Sequence, residues 1–239
     1  MDEQDFYEGI YREVQDSGVS GWYVRKSHKL LERGLQKVQD SKILEVGGNI
    51  GEHIQFVREN YSSYTLTDYR QTGFKAPNEK IQFQIANVER LPFKSGEFDR
   101  TISTCLLHHL GDPKLALEEM RRVTVNNGRI SILVPCDPGL AYRIAKSIGP
   151  SRKWRRAGIA SPNFYHYMQH RNHYPGIESI IRQVFRTDDL QIRYWPFRIK
   201  SWNFNLLTTI QIQIMENSND SYAEKNDQQE APISPQIHS

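Results

Sequence analysis

Apolar and polar positions along this chain follow two rhythms, and the change comes near residue 40. Before it, Phe6, Tyr7, Ile10, Tyr11 and Val14 recur at the three-to-four spacing of one helix face. Gly18 and Gly21 are expected to interrupt that helix. Leu30, Leu31, Leu35 and Val38 then predict the inner face of a second. Beyond residue 40, short apolar or β-branched runs end at turn residues. The run 42–46 stops at Gly47-Gly48, 64–67 at Asp68, 81–85 before Asn87, 98–105 before a Leu-His-His stretch, and 129–134 at Pro135. Each reads as a strand. Between them, 51–59 predicts a helix. Asp112-Pro113 predicts the cap and first residue of another, burying Leu115, Met120 and Val123 and ending near Asn127-Gly128.

Strands alternating with helices at this spacing predict an α/β fold, a doubly wound parallel sheet covered on both faces. Ligands of such sheets bind beyond the carboxyl ends of the strands, near the reversal in strand order. That gathers residues 47–51, Asp68, Asn87 and 105–109 around one crevice. In the last third, Leu140, Ile144 and Ile148 predict a helix over 139–148, and Ile177, Ile180, Ile181, Val184 and Phe185 another. Strands follow at 190–195 and 206–214. The link 196–204 is too short for a crossover helix, so that pair is predicted antiparallel.

Composition narrows the class. Among 239 residues, 38% are apolar and 25% charged, which excludes a disordered polymer. No apolar run reaches the roughly 18 residues of a spanning helix. Residues 1–5 are acidic and unlike a secretory leader. Two cysteines, Cys105 and Cys136, exclude a disulfide framework, and a reducing cytoplasm fits. The net charge of +3 conceals an acidic 216–239 segment, rich in Asn, Ser and Gln, that is expected to be disordered. Arg143, Lys146, Arg152, Lys153, Arg155 and Arg156 form a basic run facing no acid, suited to phosphates, acidic small molecules or anionic lipid.

The candidate chemistry sits at three matched positions. Glu45-Val46-Gly47-Gly48-Asn49-Ile50-Gly51 joins a strand to a helix, and glycines there let the backbone approach a ligand. Asn49 is the non-glycine type best suited to positive φ. Asp68 ends the next strand, where a carboxylate suits two ribose hydroxyls. Asn87 offers a carbonyl to an adenine amino group. The loop departs from G-x-G-x-x-G, and Glu52 opposes a pyrophosphate. A nucleoside without phosphates whose far end is cationic fits better, and S-adenosylmethionine is such a ligand. Glu45 suits the neighbourhood of its ammonium and sulfonium.

These residues resemble a family. The stretch 43–51 is similar to the first motif of class I S-adenosylmethionine-dependent methyltransferases, the small-molecule type. The likeness continues through Asn87-Val88-Glu89-Arg90-Leu91-Pro92-Phe93, Gly96-Glu97-Phe98-Asp99, Leu107-His108-His109-Leu110, Glu119-Met120-Arg121-Arg122-Val123 and Asn127-Gly128-Arg129-Ile130, in the family's order over about 42–135. The resemblance implies a Rossmann-like, seven-stranded sheet whose last strand is antiparallel. It implies cofactor contacts at Glu45, Gly47, Gly48, Asn49, Gly51, Asp68, Tyr69, Asn87, Val88 and Cys105. Departures from the family pattern are Asn49 for a glycine, Asn87 for an acid, and Asn126-Asn127-Gly128 for Pro-Gly-Gly.

Methyl transfer requires an acceptor held close to the donor methyl, and an oxygen or ammonium acceptor must also lose a proton. Histidine is the natural base. His108 and His109 follow the fourth strand, and His166, His170 and His173 share one helical spacing. His108, His170 and His173 are the expected catalytic residues, with His108 preferred to His109. No cysteine or carboxylate near 166–173 completes a ligand set, so no metal is expected. Residues 1–40 are read as an N-terminal helical cap and 41–215 as the methyltransferase domain, with a cap insertion at 136–176 and the acidic tail at 216–239. The expected acceptor is a small molecule, anionic or linked to a sugar or lipid. Trp154 permits peripheral membrane contact. Ser103-Thr104-Cys105-Leu106 stands where a nucleic-acid methyltransferase usually carries Asn-Pro-Pro-Tyr, which argues against nucleic acid.

Overall fold

In the computed structural model, which describes residues 18–36, 39–148, 164 and 168–216, helix α1 (Gly18–Leu31) precedes strands β1 (Gln39–Val46), β2 (Asn60–Asp68), β3 (Ile81–Ile85) and β4 (Phe98–Thr104). Then follow α2 (Pro113–Val123), β5 (Thr124–Pro135), α3 (Leu140–Ile148), α4 (Tyr174–Val184), β6 (Asp189–Trp195) and β7 (Leu207–Gln213). The strands form one sheet ordered β3-β2-β1-β4-β5-β7-β6. β1 to β5 pair in parallel, and β7 runs antiparallel to both β5 and β6. The strand order reverses at β1 and β4, so their carboxyl ends open the crevice.

Both faces of the central strands are covered, which is why β1 and β4 read as nearly continuous buried runs rather than alternating ones. On one face Leu44, Val46, Ile130 and Ile132 pack with Leu117 and Met120 of α2 and Ile177 and Ile181 of α4. On the other, Leu31 of α1 meets Ile43, Leu66, Ile102 and Leu133. The side chain of Asp112 accepts from the backbone N–H of Lys114 and Leu115, and Pro113 opens α2 as expected. Leu115, however, is 45% exposed; the inward positions are Ala116, Leu117, Met120 and Val123. β5 begins directly at Thr124, ahead of the Asn127-Gly128 turn expected to end the helix.

The amino-terminal half departs further from expectation. α1 starts at Gly18 and passes through a buried Gly21. A mid-helix glycine costs about 1 kcal/mol relative to alanine, a penalty that burial of Leu31 alone offsets. Leu35 lies beyond the end of α1; Val38 and the 6–14 stretch lie outside the described residues. The helix expected at 51–59 is only a one-turn 3-10 segment, Ile54–Phe56. The reason is a buried ion cluster that draws the residues on either side of that turn inward. Arg100 of β4, 1% exposed, donates to Glu32 Oε1 at 2.6 Å and to Glu59 Oε1 at 3.2 Å. His53 Nε2 donates to Glu32 Oε1 at 3.0 Å. Its Nδ1 lies 2.9 Å from that of His28. Burial holds His53 below its ordinary pKa and, with His53 nearby, lowers that of His28 to about 3. Both rings are neutral, so His28 is the donor in that pair.

Leu140, Ile144 and Ile148 do share one stripe of α3, yet each is about half exposed. The residues that follow, including the basic run 152–156 and Trp154, lie outside the described residues, as do His166 and the tail from 217. Among the described residues, no helix is long and apolar enough to cross a membrane.

Candidate active site

The turn after β1 is built by backbone geometry that side chains would obstruct. Gly47 and Gly51 have φ of 63° and 78°, and Asn49 has φ of 49°, the left-handed conformation expected for it. Gly48 N–H donates to Thr67 O at 3.0 Å, and a Cβ at Gly48 would stand 2.1 Å from Leu66 Cδ1. Thr72 Oγ1 donates to Asn49 O at 2.9 Å, tying the turn to the segment after β2.

Asp68 ends β2 half-buried. Its Oδ2 accepts from Asn49 N–H at 3.1 Å and its Oδ1 from Arg70 N–H at 3.2 Å. Each carboxylate oxygen has a second lone pair, so the group retains the capacity to accept two hydroxyls. Glu45, 1% exposed, accepts from Tyr64 Oη–H at 2.6 Å through Oε2; its Oε1 is buried with no hydrogen-bond partner among the described residues. Burial raises its pKa to about 8 despite the Tyr64 hydrogen bond, and the Glu52 carboxylate adds to the rise. The other expected contacts are placed unequally. Val88 is buried in the core, Tyr69 is 62% exposed, and Cys105 directly follows β4 at a φ of 52°. Asn87 Oδ1 accepts from Glu89 N–H at 3.0 Å, so one lone pair of the carbonyl expected to meet adenine is already engaged.

Beyond β4, the 3-10 turn Leu107–His109 carries His108 and His109 into contact with His170. Ring centroids lie 4.0 Å apart for His108–His109, 4.2 Å for His108–His170 and 5.2 Å for His109–His170. Asn172 fastens the two segments: its Nδ2 donates to Leu107 O and Leu110 O, while Arg171 N–H and its own N–H donate to His108 O. His170 Nδ1–H donates to Asp137 Oδ2 at 2.9 Å, and His109 Nδ1–H to Gln169 O at 2.9 Å. Asp137 also influences two residues of α3. Burial lowers the Lys146 pKa to about 8 against the opposing pull of Asp137. Burial raises the Tyr142 hydroxyl well above 10, with Asp137 adding to the rise.

His108 and His170 therefore meet, whereas His173 stands exposed at the residue before α4, with no side-chain capping bond. Sequence reasoning ranked His109 below His108; the fold brings both against His170. It missed Asp137, Asn172 and Tyr142, which no local spacing links to the histidines, and had Lys146 only as a member of the basic run. The one available signal was Asp137-Pro138 following a strand end.

Residues 44–132 match a protein family described as a methyltransferase domain. No curated protein sequence matches the chain. Among solved structures, the fold is similar to a Haloferax volcanii methyltransferase in complex with the Trm112 methyltransferase activator. That match has 12% identity and a TM-score of 0.60, over 90% of this chain and 99% of the other. It is similar to Burkholderia thailandensis 1,6-didemethyltoxoflavin-N1-methyltransferase with bound 1,6-didemethyltoxoflavin and S-adenosylhomocysteine, at 15% identity and TM-score 0.56, over 89% and 87%. It is also similar to an S-adenosylmethionine-dependent methyltransferase of Thermotoga maritima, at 12% identity and TM-score 0.57, over 88% and 98%.

Residues 44–132 thus match a methyltransferase domain, and the chain has the fold of S-adenosylmethionine-dependent methyltransferases. Its residues fit that cofactor. The turn after β1 takes left-handed backbone at Gly47, Asn49 and Gly51, the Asp68 carboxylate stands at the end of β2, and Glu45 Oε1 is buried with no hydrogen-bond partner among the described residues.

Proposed function

We propose that this methyltransferase moves a methyl group to an oxygen or nitrogen of a small-molecule acceptor, anionic or glycosylated, that lies against His108 and His170. The observation that carries this reading is the histidine cluster at the mouth of β4, oriented from behind by Asp137. When bound, S-adenosylmethionine supplies a methyl group on a cationic sulfur. The chain's own residues do the rest. The turn at 47–51 brings backbone against the cofactor, Asp68 accepts from the ribose hydroxyls, and Glu45 answers the positive end. The proton the acceptor loses is handled on the imidazole side. Lys146, half-buried and within the influence of Asp137, favours an anionic acceptor, as do Arg143 and the run 152–156. The Burkholderia relative, solved with a small heteroaromatic molecule, supports an acceptor of that size.

Calorimetric titration with S-adenosylmethionine, S-adenosylhomocysteine and NAD is the first test, with binding expected for the first two alone. A screen of anionic and glycosylated acceptors follows. With any acceptor found, His108→Ala and His170→Ala should lower turnover and leave S-adenosylhomocysteine affinity intact. Wild-type turnover in both variants would remove the histidines from the acceptor side.

A further inference from the structure

Three imidazoles from two segments more than sixty positions apart converge at one point, and their geometry suits a ligand other than the cofactor. His108, His109 and His170 each offer a nitrogen such that all three lie within 4.8 Å of one another. Two of the rings have their Nδ1 committed, His109 to the Gln169 carbonyl and His170 to the Asp137 carboxylate, each at 2.9 Å. A neutral imidazole whose Nδ1–H is held presents a lone pair at Nε2. A carbonyl or carboxylate behind the ring is the usual orienting arrangement for a metal-ligating histidine. The Asp137 side chain that does this is 5% exposed and that of His170 is 11% exposed, so the pair is shielded from competing water.

We propose that His108, His109 and His170 bind one divalent transition-metal cation of the zinc class, leaving a fourth position for an oxygen of the methyl acceptor. The proposal rests on the reading of His108 and His170 as acceptor-side residues, and it names what stands between them and the acceptor. Imidazole nitrogens favour zinc, cobalt, nickel or copper over magnesium and calcium, which take oxygen. With zinc–nitrogen distances of about 2.0–2.1 Å, the nitrogens of a tetrahedral site stand about 3.3 Å apart, so the rings, whose nitrogens already converge, draw closer on binding. Three protein ligands with one open position is the arrangement of reactive rather than structural zinc sites. Three neutral ligands leave the cation its full charge, which selects an acceptor whose ligating oxygen is anionic or ionisable. The sequence expectation of no metal considered only residues near 166–173; the fold supplies the further ligands from the end of β4.

The test is titration of the metal-free full-length chain with Co2+, followed by visible absorption, and with Zn2+ in competition with a chromogenic chelator. One equivalent of cobalt should bind, with the intense bands of a four-coordinate ion. His109→Ala and His170→Ala should each weaken zinc binding at least about 100-fold, and Asp137→Asn about 10- to 100-fold. Unchanged S-adenosylhomocysteine affinity and circular dichroism identify variants that have kept their fold, and His170→Asn serves where the alanine has not. Absence of saturable binding at one equivalent overturns the proposal, and so does binding indifferent to both histidine substitutions. Methylation at full rate in chelator-treated protein, with His170→Ala still slow, overturns the metal and leaves the acceptor-side reading standing.

Discussion

Asp137 Oδ2 accepts from His170 Nδ1–H at 2.9 Å, across 33 positions of the chain. Asp137 follows β5 closely and is itself anchored, since its carbonyl accepts the Tyr174 N–H at the start of α4. Asn172 pins the residues after His170 to the His108 turn. The ring orientation of His170 is thus set by groups already fixed to the sheet, before any ligand arrives. Such preorganisation separates a functional histidine from one that merely fills space.

Asp137→Asn should therefore injure chemistry rather than folding. The amide is isosteric, but it can present N–H where the imidazole needs an acceptor, and the ring then turns or changes tautomer. Turnover should fall roughly 10- to 100-fold, with S-adenosylhomocysteine affinity within twofold of wild type. Equal turnover in steady-state kinetics would reduce Asp137 to a packing role.

Asp68 tests the cofactor side on its own. Removing its carboxylate by Asp68→Ala deletes the acceptor for ribose and also releases Asn49 N–H, which it holds at 3.1 Å. The loss of a charge-assisted pair is about 2 kcal/mol, or roughly 30-fold in Kd. Calorimetry with S-adenosylhomocysteine reads this directly. An unchanged affinity would move the ribose site elsewhere.

How much of this was legible beforehand follows the range of the forces involved. The strands were, because short apolar runs stopped by Gly47-Gly48, Asp68 and Pro135 are local signals, as is the left-handed Asn49. The antiparallel β6–β7 pair was legible from the length of its link. The turn in place of a helix at 51–59 was not, because it depends on Arg100 of β4 attracting Glu59, and on Glu32, just after α1, attracting His53. The histidine cluster was half legible. His108 and His170 carry the chemistry in their residue type, but their meeting, and the roles of His109 and Asp137, exist only once β4 and the segment before α4 are packed. Residue type proposes chemistry; only tertiary contact selects among equal candidates such as His170 and His173.

Glu45 gives a prediction in pH. Burial raises its folded-state pKa from 4.5 to about 8, so between those values the folded chain holds a proton that the unfolded chain has released. Stability therefore falls as pH rises from about 4.5 to about 8, by up to a few kcal/mol. Glu45→Gln keeps an acceptor for Tyr64 and removes the titration. Its thermal midpoint should exceed that of wild type at pH 8, and the difference should vanish near pH 4.5. Cationic S-adenosylmethionine favours the ionised form, so its binding below pH 8 should release a proton, measured by titration in buffers of different ionisation enthalpy. Identical heats across buffers would separate Glu45 from the cofactor's charge.

Glu32 joins stability to the cofactor turn. Its carboxylate takes N–H groups from Arg100 and His53, both buried. Burial opposes the charge, but the His53 hydrogen bond and the Arg100 charge and hydrogen bonds outweigh it and lower the pKa to about 2. The stabilisation is fully present above about 4.5 and is lost as pH falls toward 2. Glu32→Ala leaves Arg100 with Glu59 as its remaining anionic partner among the described residues and should destabilise by about 3–5 kcal/mol. At roughly 2–4 °C per kcal/mol in a chain of this size, that is a fall of roughly 10 °C in Tm. It should also flatten the acid limb of the stability profile. Since His53 lies two residues beyond Gly51, the loss should loosen the cofactor turn and weaken S-adenosylhomocysteine binding. Combining Glu32→Leu and Arg100→Met with Glu59→Gln removes all three charges of the cluster and should recover much of the midpoint. It should not recover the affinity, because His53 would still lack its acceptor. A midpoint restored together with full affinity would show that the buried cluster braces the fold alone and leaves the turn to its own backbone hydrogen bonds.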